Sequence, residues 1–163
     1  EAKKKVFKDD IVIVAYNAEE TGLNGSNEFM KKYNKKYNKC YNINIDCVGA
    51  KNCMELAMGN NDVKSEKLYS AMRELFNEEG VAYNDNIYAT KNGVLRGTSD
   101  HQIFRMYGYP SLVLGDDNII DIVHTNNDNL DNIDYSDLEK LSEVLFKFIS
   151  ENFYDMNEIK TGN

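Results

Sequence analysis

The sequence has no apolar run near the roughly 18 residues that a membrane-spanning helix requires, and its first residues hold no signal-peptide core. No membrane contact by this segment is expected. Positive charge is also short, with 19 Lys and Arg against 27 Asp and Glu and a formal net charge of −8. Binding a nucleic-acid backbone needs a basic face to neutralise phosphates, so nucleic acid is not an expected partner. The one basic cluster, Lys31, Lys32, Lys35, Lys36 and Lys39, falls in the second half of a predicted helix, where positive charge complements the helix dipole. Cysteine is sparse: Cys40, Cys47 and Cys53 cannot all pair, and no Cys-x-x-Cys or zinc-ribbon spacing occurs. They are expected to be small buried apolar residues, with a Cys40–Cys53 bridge between neighbouring strands left open. Only two histidines are present, His101 and His124. Internal repeats and low-complexity linkers are absent.

What is present suits one globular domain. At 163 residues, 42% hydrophobic and 28% charged, the chain can bury a full core without being long enough for two ordinary domains. The domain is placed at residues 1–153, followed by a polar tail at 154–163. The run Ile11, Val12, Ile13, Val14, Ala15 lacks polar alternation and predicts a strand covered on both faces, as in parallel sheets. Gly22 and Gly25 make a turn, Ser26 is a candidate N-cap, and Phe29, Met30, Tyr33 and Tyr37 recur at helical spacing. Tyr41 to Cys47 alternates Ile43, Ile45 and Cys47 against Asn42, Asn44 and Asp46, which predicts a second strand. A short third strand is expected from Met54 to Met58, then a helix from about Val63 that Gly80 terminates. The stretch from Val81 to Leu95 offers at most an edge strand. Ser99 with Gln102, and Ser136 with Glu139, read as capping boxes opening two further helices. Between those helices Ser111 to Leu114 reads as a buried strand. Strands alternating with helices predict a three-layer α/β/α sandwich on a mixed, mostly parallel sheet.

In open α/β sheets ligands bind outside the carboxyl ends of the strands, and the reactive residues of this sequence gather there. Glu19 and Glu20 follow the first strand, Asp46 ends the second, Ser99-Asp100-His101 opens a helix, and His124 follows the Ile119–Val123 stretch. Each alone has an ordinary explanation: a solvated loop for the glutamates, a turn for Asp46, a helix cap for Ser99, a loop for His124. Jointly they compose an oxygen- and nitrogen-ligated metal site. The stretch Asp128 to Asp137 lacks the spacing and glycine of an EF-hand, so it is assigned to helix entry.

The succession "IVIVAYNAEETGLNGSNEF", "NINIDCVG", "GTSDHQIFRMYGYPSLVL" and "VHTNNDNLDNID" resembles the second part of a co-catalytic zinc aminopeptidase of metallopeptidase family twenty-eight. The stretches keep the family's order and approximate spacing over nearly the whole chain. The resemblance implies Glu19 as general base, Glu20 and His124 as ligands of one zinc, and Asp46 as ligand of the other. It implies a peptide as substrate, cleaved at its N-terminal bond by a metal-activated water. Ser99, Asp100 and His101 match the family's Ser-Asp-His stretch, which lies by the pocket without ligating metal. Val123 stands where some relatives carry an oxyanion-stabilising tyrosine, leaving Arg96 as a candidate for that role. A base beside the metal and a neighbour on it is chemically coherent, because a cation offsets the repulsion between adjacent carboxylates.

The family's His-x-Asp stretch and its bridging aspartate both precede the strand that begins here at Ile11, and neither histidine lies before Glu19. The expectation is therefore the C-terminal portion of a larger catalytic domain, inactive alone, holding one zinc weakly or none where the complete domain holds two. Self-association, or pairing with the missing N-terminal segment, is expected to cover the exposed sheet edge. The resemblance favours a secreted or membrane-anchored parent. A single-zinc acyltransferase like glutaminyl cyclase, and a non-catalytic interaction domain of the same fold, are the alternatives.

Overall fold

A computed structural model describes residues 7, 10–37, 39–51, 56–59, 62–84, 98–117, 119, 122–151 and 153–154. Four strands form one sheet: β1 (Asn42–Ile45), β2 (Leu56–Gly59), β3 (Tyr83–Asn84) and β4 (Ser111–Asp116), in the order β1-β4-β2-β3. β1 runs parallel to β4, pairing Asn44 with Val113 and Ile45 with Leu114, and β3 runs parallel to β2. β2 is antiparallel to β4, with Met58 opposite Leu114. The sheet is mixed, as its sequence pattern predicts.

β4 is the centre of the sheet. Ser111 through Gly115 are all buried, as an uninterrupted apolar run requires when helices cover both faces. On one face lie α2 (Glu66–Glu79) and α4 (Tyr135–Ser150), which contact each other. Their Leu68, Met72, Leu75, Phe76, Val144 and Phe148 close over Met58, Leu112 and Leu114 in the larger core. On the other face lie α1 (Asn24–Tyr33) and α3 (His101–Met106), which touch each other, with α3 against β1 and β4. Met30, Ile103, Phe104 and Leu23 form a smaller core there, joined by Tyr16, Phe29 and Tyr109. Helix, sheet, helix is a three-layer α/β/α sandwich.

Helix ends differ from the sequence reading in instructive ways. Gly80 does end α2 in a left-handed conformation (φ 66°), its N–H closing on Phe76 and Asn77 carbonyls. Ser26 does not cap α1: it lies inside the helix, buried, its hydroxyl donating to the Leu23 carbonyl. At α4 the cap is Asp134, whose carboxylate accepts from the Ser136 and Asp137 N–H groups, so the Ser136–Glu139 box is displaced by the stronger charged acceptor. Asn129 caps a 3-10 turn at Leu130–Asn132, which confirms helix entry for the acidic stretch.

The largest departure is at residues 11–15. They carry no strand pairing, and Ile11, Val12, Ile13 and Val14 are 42%, 51%, 94% and 36% exposed. A strand exists only through ladder hydrogen bonds to a neighbour, and no described strand lies against this segment. Its apolar run records the cover that it needs. β1 is correspondingly a terminal strand, with Ile45 49% exposed.

The cysteines depart too: Cys40 is unpaired and half-buried and Cys47 is exposed, while Cys53 lies outside the described residues. Tyr154 is buried, its ring edge-on to that of Tyr41.

Candidate metal and catalytic site

Glu19 and Glu20 sit in a tight local turn rather than at the end of a paired strand. The Gly22 and Leu23 N–H groups donate to the Glu19 carbonyl, Asn24 to that of Ala18, and Gly25 to that of Asn17. These four bonds fold the loop back onto its own start. Gly22 takes φ 107°, which side chains rarely adopt, and a Cβ on Gly25 would overlap the Asn17 backbone. Glycine is required at both places for the turn to close.

Asp46 leaves the end of β1, its N–H donating to the Leu114 carbonyl. One carboxylate oxygen, Oδ2, accepts from the Ser99 hydroxyl at 2.5 Å, and Ser99 in turn accepts from the Asn44 amide at 2.7 Å. Ser99 is thus not the helix cap that its spacing with Gln102 predicts. α3 begins with Asp100 at its N-cap position and no side-chain cap bond, because the hydroxyl is engaged by Asp46. The other oxygen, Oδ1, lies 3.3 Å from the Cys47 thiol. Although the residue as a whole is exposed, partial desolvation of the sulfur and the adjoining Asp46 carboxylate raise that thiol's pKa to about 12, so Cys47 is a neutral donor.

His124 reaches the same edge from a loop. Its Nε2 stands 3.2 Å from Glu20 Oε1, with both side chains about 70% exposed. The loop that follows is tied to the one after Asp46. Ala50 bridges Ile133, Lys51 N–H donates to Asn132, Asp134 N–H donates to Gly49, and Asp116 accepts from Ala50 N–H at 2.6 Å.

Electrostatics joins these pieces. The Glu19 carboxyl is raised above its ordinary value of 4.5, first by burial and then by Glu20, Asp46 and Asp100, while His124 lowers it. Glu19 is therefore within electrostatic reach of every other member of the cluster. Asp100 is buried, and its Oδ1 has no hydrogen-bond partner among the described residues. His101 is buried and held near pKa 4 by desolvation and Arg105, against a smaller opposing pull from Asp46, so it is neutral at physiological pH. Arg96 lies outside the described residues.

Three non-glycine residues with left-handed backbone mark the site: Ala18 (φ 59°), Cys47 (φ 56°) and His124 itself (φ 60°). Each is at or next to a candidate ligand or base. Such conformations cost on the order of 1–3 kcal/mol apiece and persist where the surroundings hold them.

Zinc suits part of this arrangement. Two donors each about 2.0 Å from one tetrahedral zinc stand roughly 3.3 Å apart, close to the 3.2 Å between Glu20 and His124. Catalytic zinc takes three protein donors, and among the described residues no group of three His, Cys, Asp or Glu gathers closely enough to hold an ion. The fit is to two of the three donors of one zinc.

Comparison with protein families gives a match to peptidase family M28 over residues 1–149. Comparison with curated protein sequences gives no match. Among solved structures, the chain is similar to the LapA aminopeptidase of Legionella pneumophila, with a TM-score of 0.74 and 19% identity over 94% of this chain and 42% of that one. It is similar to the zinc aminopeptidase BSAP of Bacillus subtilis, with a TM-score of 0.65 and 22% identity over 91% and 38%. Glutaminyl cyclase of Fimbriiglobus ruber gives a TM-score of 0.62 and 18% identity over 80% and 44%. At these identities the likeness is one of fold, and the chain spans less than half of each neighbour's length.

Proposed function

The chain belongs to peptidase family M28, and from that premise we propose that it carries the general base and part of the zinc-binding set of an aminopeptidase acting on peptide N-termini. The observation that carries this reading is the Glu20–His124 approach of 3.2 Å, between residues 104 positions apart, beside a Glu19 whose pKa is raised. Glu20 and His124 would hold one zinc, and Asp46 would serve a second. Bound zinc supplies a polarised carbonyl and a water of lowered pKa. Glu20 is the glutamate that meets the His124 ring, at 3.2 Å, and the raised pKa of Glu19 brings it nearer the range useful to a general base. Its role is to take a proton from the attacking water and return one to the leaving amine. Asp100 and His101 are buried, Asp100 within electrostatic reach of Glu19 and His101 within that of Asp46, and would stand beside the substrate without holding metal.

With two donors for one zinc and one for the other, the described residues favour weak metal binding by the chain on its own, and activity in a complete domain. Two aminopeptidase structures among the neighbours, one of them described as a zinc aminopeptidase, support aminopeptidase over cyclase, while the cyclase's shared fold keeps acyl transfer as the second reading. The test is to assay the complete protein on an aminoacyl reporter and on an N-terminal glutamine peptide. Aminoacyl hydrolysis is expected, with Glu19→Gln lowering kcat by roughly 10²- to 10⁴-fold while zinc content is retained. Cyclisation of glutamine without hydrolysis would transfer the reading to the cyclase class, and a Glu19→Gln variant of normal kcat would remove Glu19 as base.

A further inference from the structure

We infer that Asn44 is a positioning residue for Asp46, acting through Ser99 by fixing the direction of the hydrogen bond that Ser99 makes. The inference rests on the proposed role of Asp46 as a zinc ligand and adds the device that aims it.

The bonding leaves no choice of direction. A serine hydroxyl has one proton to give and lone pairs to accept with, and an ionised carboxylate can only accept. Ser99 must therefore donate to Asp46, 2.5 Å away. Its remaining neighbour, Asn44 at 2.7 Å, must then present N–H and not C=O. That requirement fixes the orientation of the Asn44 amide, which distance alone leaves open. Asn44 and Ser99 are 8% and 1% exposed, so water does not readily substitute for either. With Oδ2 bound to Ser99, the only other hydrogen bond to the carboxylate among the described residues is the weaker one from the Cys47 thiol to Oδ1 at 3.3 Å.

Strand geometry explains why Asn44 can do this. Residues two apart on a strand share a face, so Asn44 and Asp46 both project toward the layer of α3, whose entry holds Ser99. Asn44 is also pinned by pairing with Val113 of the fully buried β4. The relay therefore ties the direction of Asp46 to a strand whose residues Ser111 through Gly115 are all buried. Outer hydrogen-bond partners of this sort orient ligands, and losing one costs typically 10- to 100-fold in metal affinity or activity.

The test is zinc affinity of the full chain, measured by competition with a chromophoric chelator, together with nuclear magnetic resonance of the Asn44 side-chain amide. Asn44→Asp keeps shape but places a pure acceptor beside Ser99, drawing its proton away from Asp46. A loss of about 10- to 100-fold in zinc affinity is expected. Ser99→Ala is expected to lose as much, Ser99→Thr to restore most of it, and Asn44→Asp to lose nothing further in the Ser99→Ala background. Separate additive losses, or an Asn44→Asp chain of unchanged affinity, would overturn the relay. Asp46→Asn serves as the control: if it leaves affinity unchanged, the ligand role of Asp46 fails, whereas loss there with none at Asn44 defeats only the relay. Should the chain hold zinc too weakly to titrate, the metal-free readout decides. Slow-exchanging Asn44 amide protons that shift on Ser99→Ala support the relay, and protons that do not shift overturn it.

Discussion

The two faces of β4 are made of different materials. Toward α2 and α4 lie Met58, Leu68, Met72, Leu75, Phe76, Leu112, Leu114 and Phe148, all below 2% exposed. Toward α1 and α3 the buried groups include Ser99, Asp100, His101, Asn44 and Ser111. The apolar face is non-directional and tolerates its own packing disorder poorly only in volume. The polar face holds its groups by hydrogen bonds of fixed direction, as Ser111 to Asn42 and Ser99 to Asp46 show. Stability is thus concentrated on one side of the sheet and chemistry on the other.

Substitutions on either side should separate the two. Phe76→Ala empties a fully buried ring site and is expected to cost roughly 3–5 kcal/mol, read by urea unfolding; a loss under about 1 kcal/mol would place the stabilising core elsewhere. A smaller effect comes from acid. His101 is depressed to about 4 from an ordinary 6.5, so its contribution is complete above 6.5 and is lost as pH falls through about 4. Across that window stability should fall by on the order of 3 kcal/mol, and His101→Gln should flatten that part of a melting-temperature profile. Retention of the slope in the variant would assign it to other groups. The smallest effect has the opposite sign. Glu19 is raised above 4.5, so its contribution is present below that pH and is lost as pH rises through the raised value. Metal-free Glu19→Gln should therefore melt slightly higher than the parent at neutral pH, and the gain should vanish in acid. A lower melting point at neutral pH would return Glu19 to a plain surface role.

Legibility in the sequence followed the same division. Features set by local chemistry and apolar periodicity were readable: the β4 run, the Gly80 stop of α2, and the alternation that makes β1. Residues 11–15 were not, because an apolar run states a need for neighbours without supplying them. Ser99 was misread because its spacing with Gln102 is local, while its bond to Asp46 spans 53 residues. Asn44 was visible only as the polar half of an alternation. The signal that would have found it is the Asn-x-Asp spacing, which puts both side chains on one face. Cys47 was read as buried, and it is instead exposed, on left-handed backbone, with its thiol donating to Asp46.

The glutamate turn also has a consequence in chain entropy. Its closing bond joins Asn17 to Gly25, a loop of about nine residues, whereas bringing His124 to Glu20 closes a loop of about 104. Closure entropy grows as the logarithm of loop length, so the second contact carries roughly 2 kcal/mol more of it than the first. The strands and the Ala50–Ile133 bridge shorten that loop before the contact is made. Glu19 and Glu20 owe their geometry to nearby sequence, and His124 owes its position to the sheet.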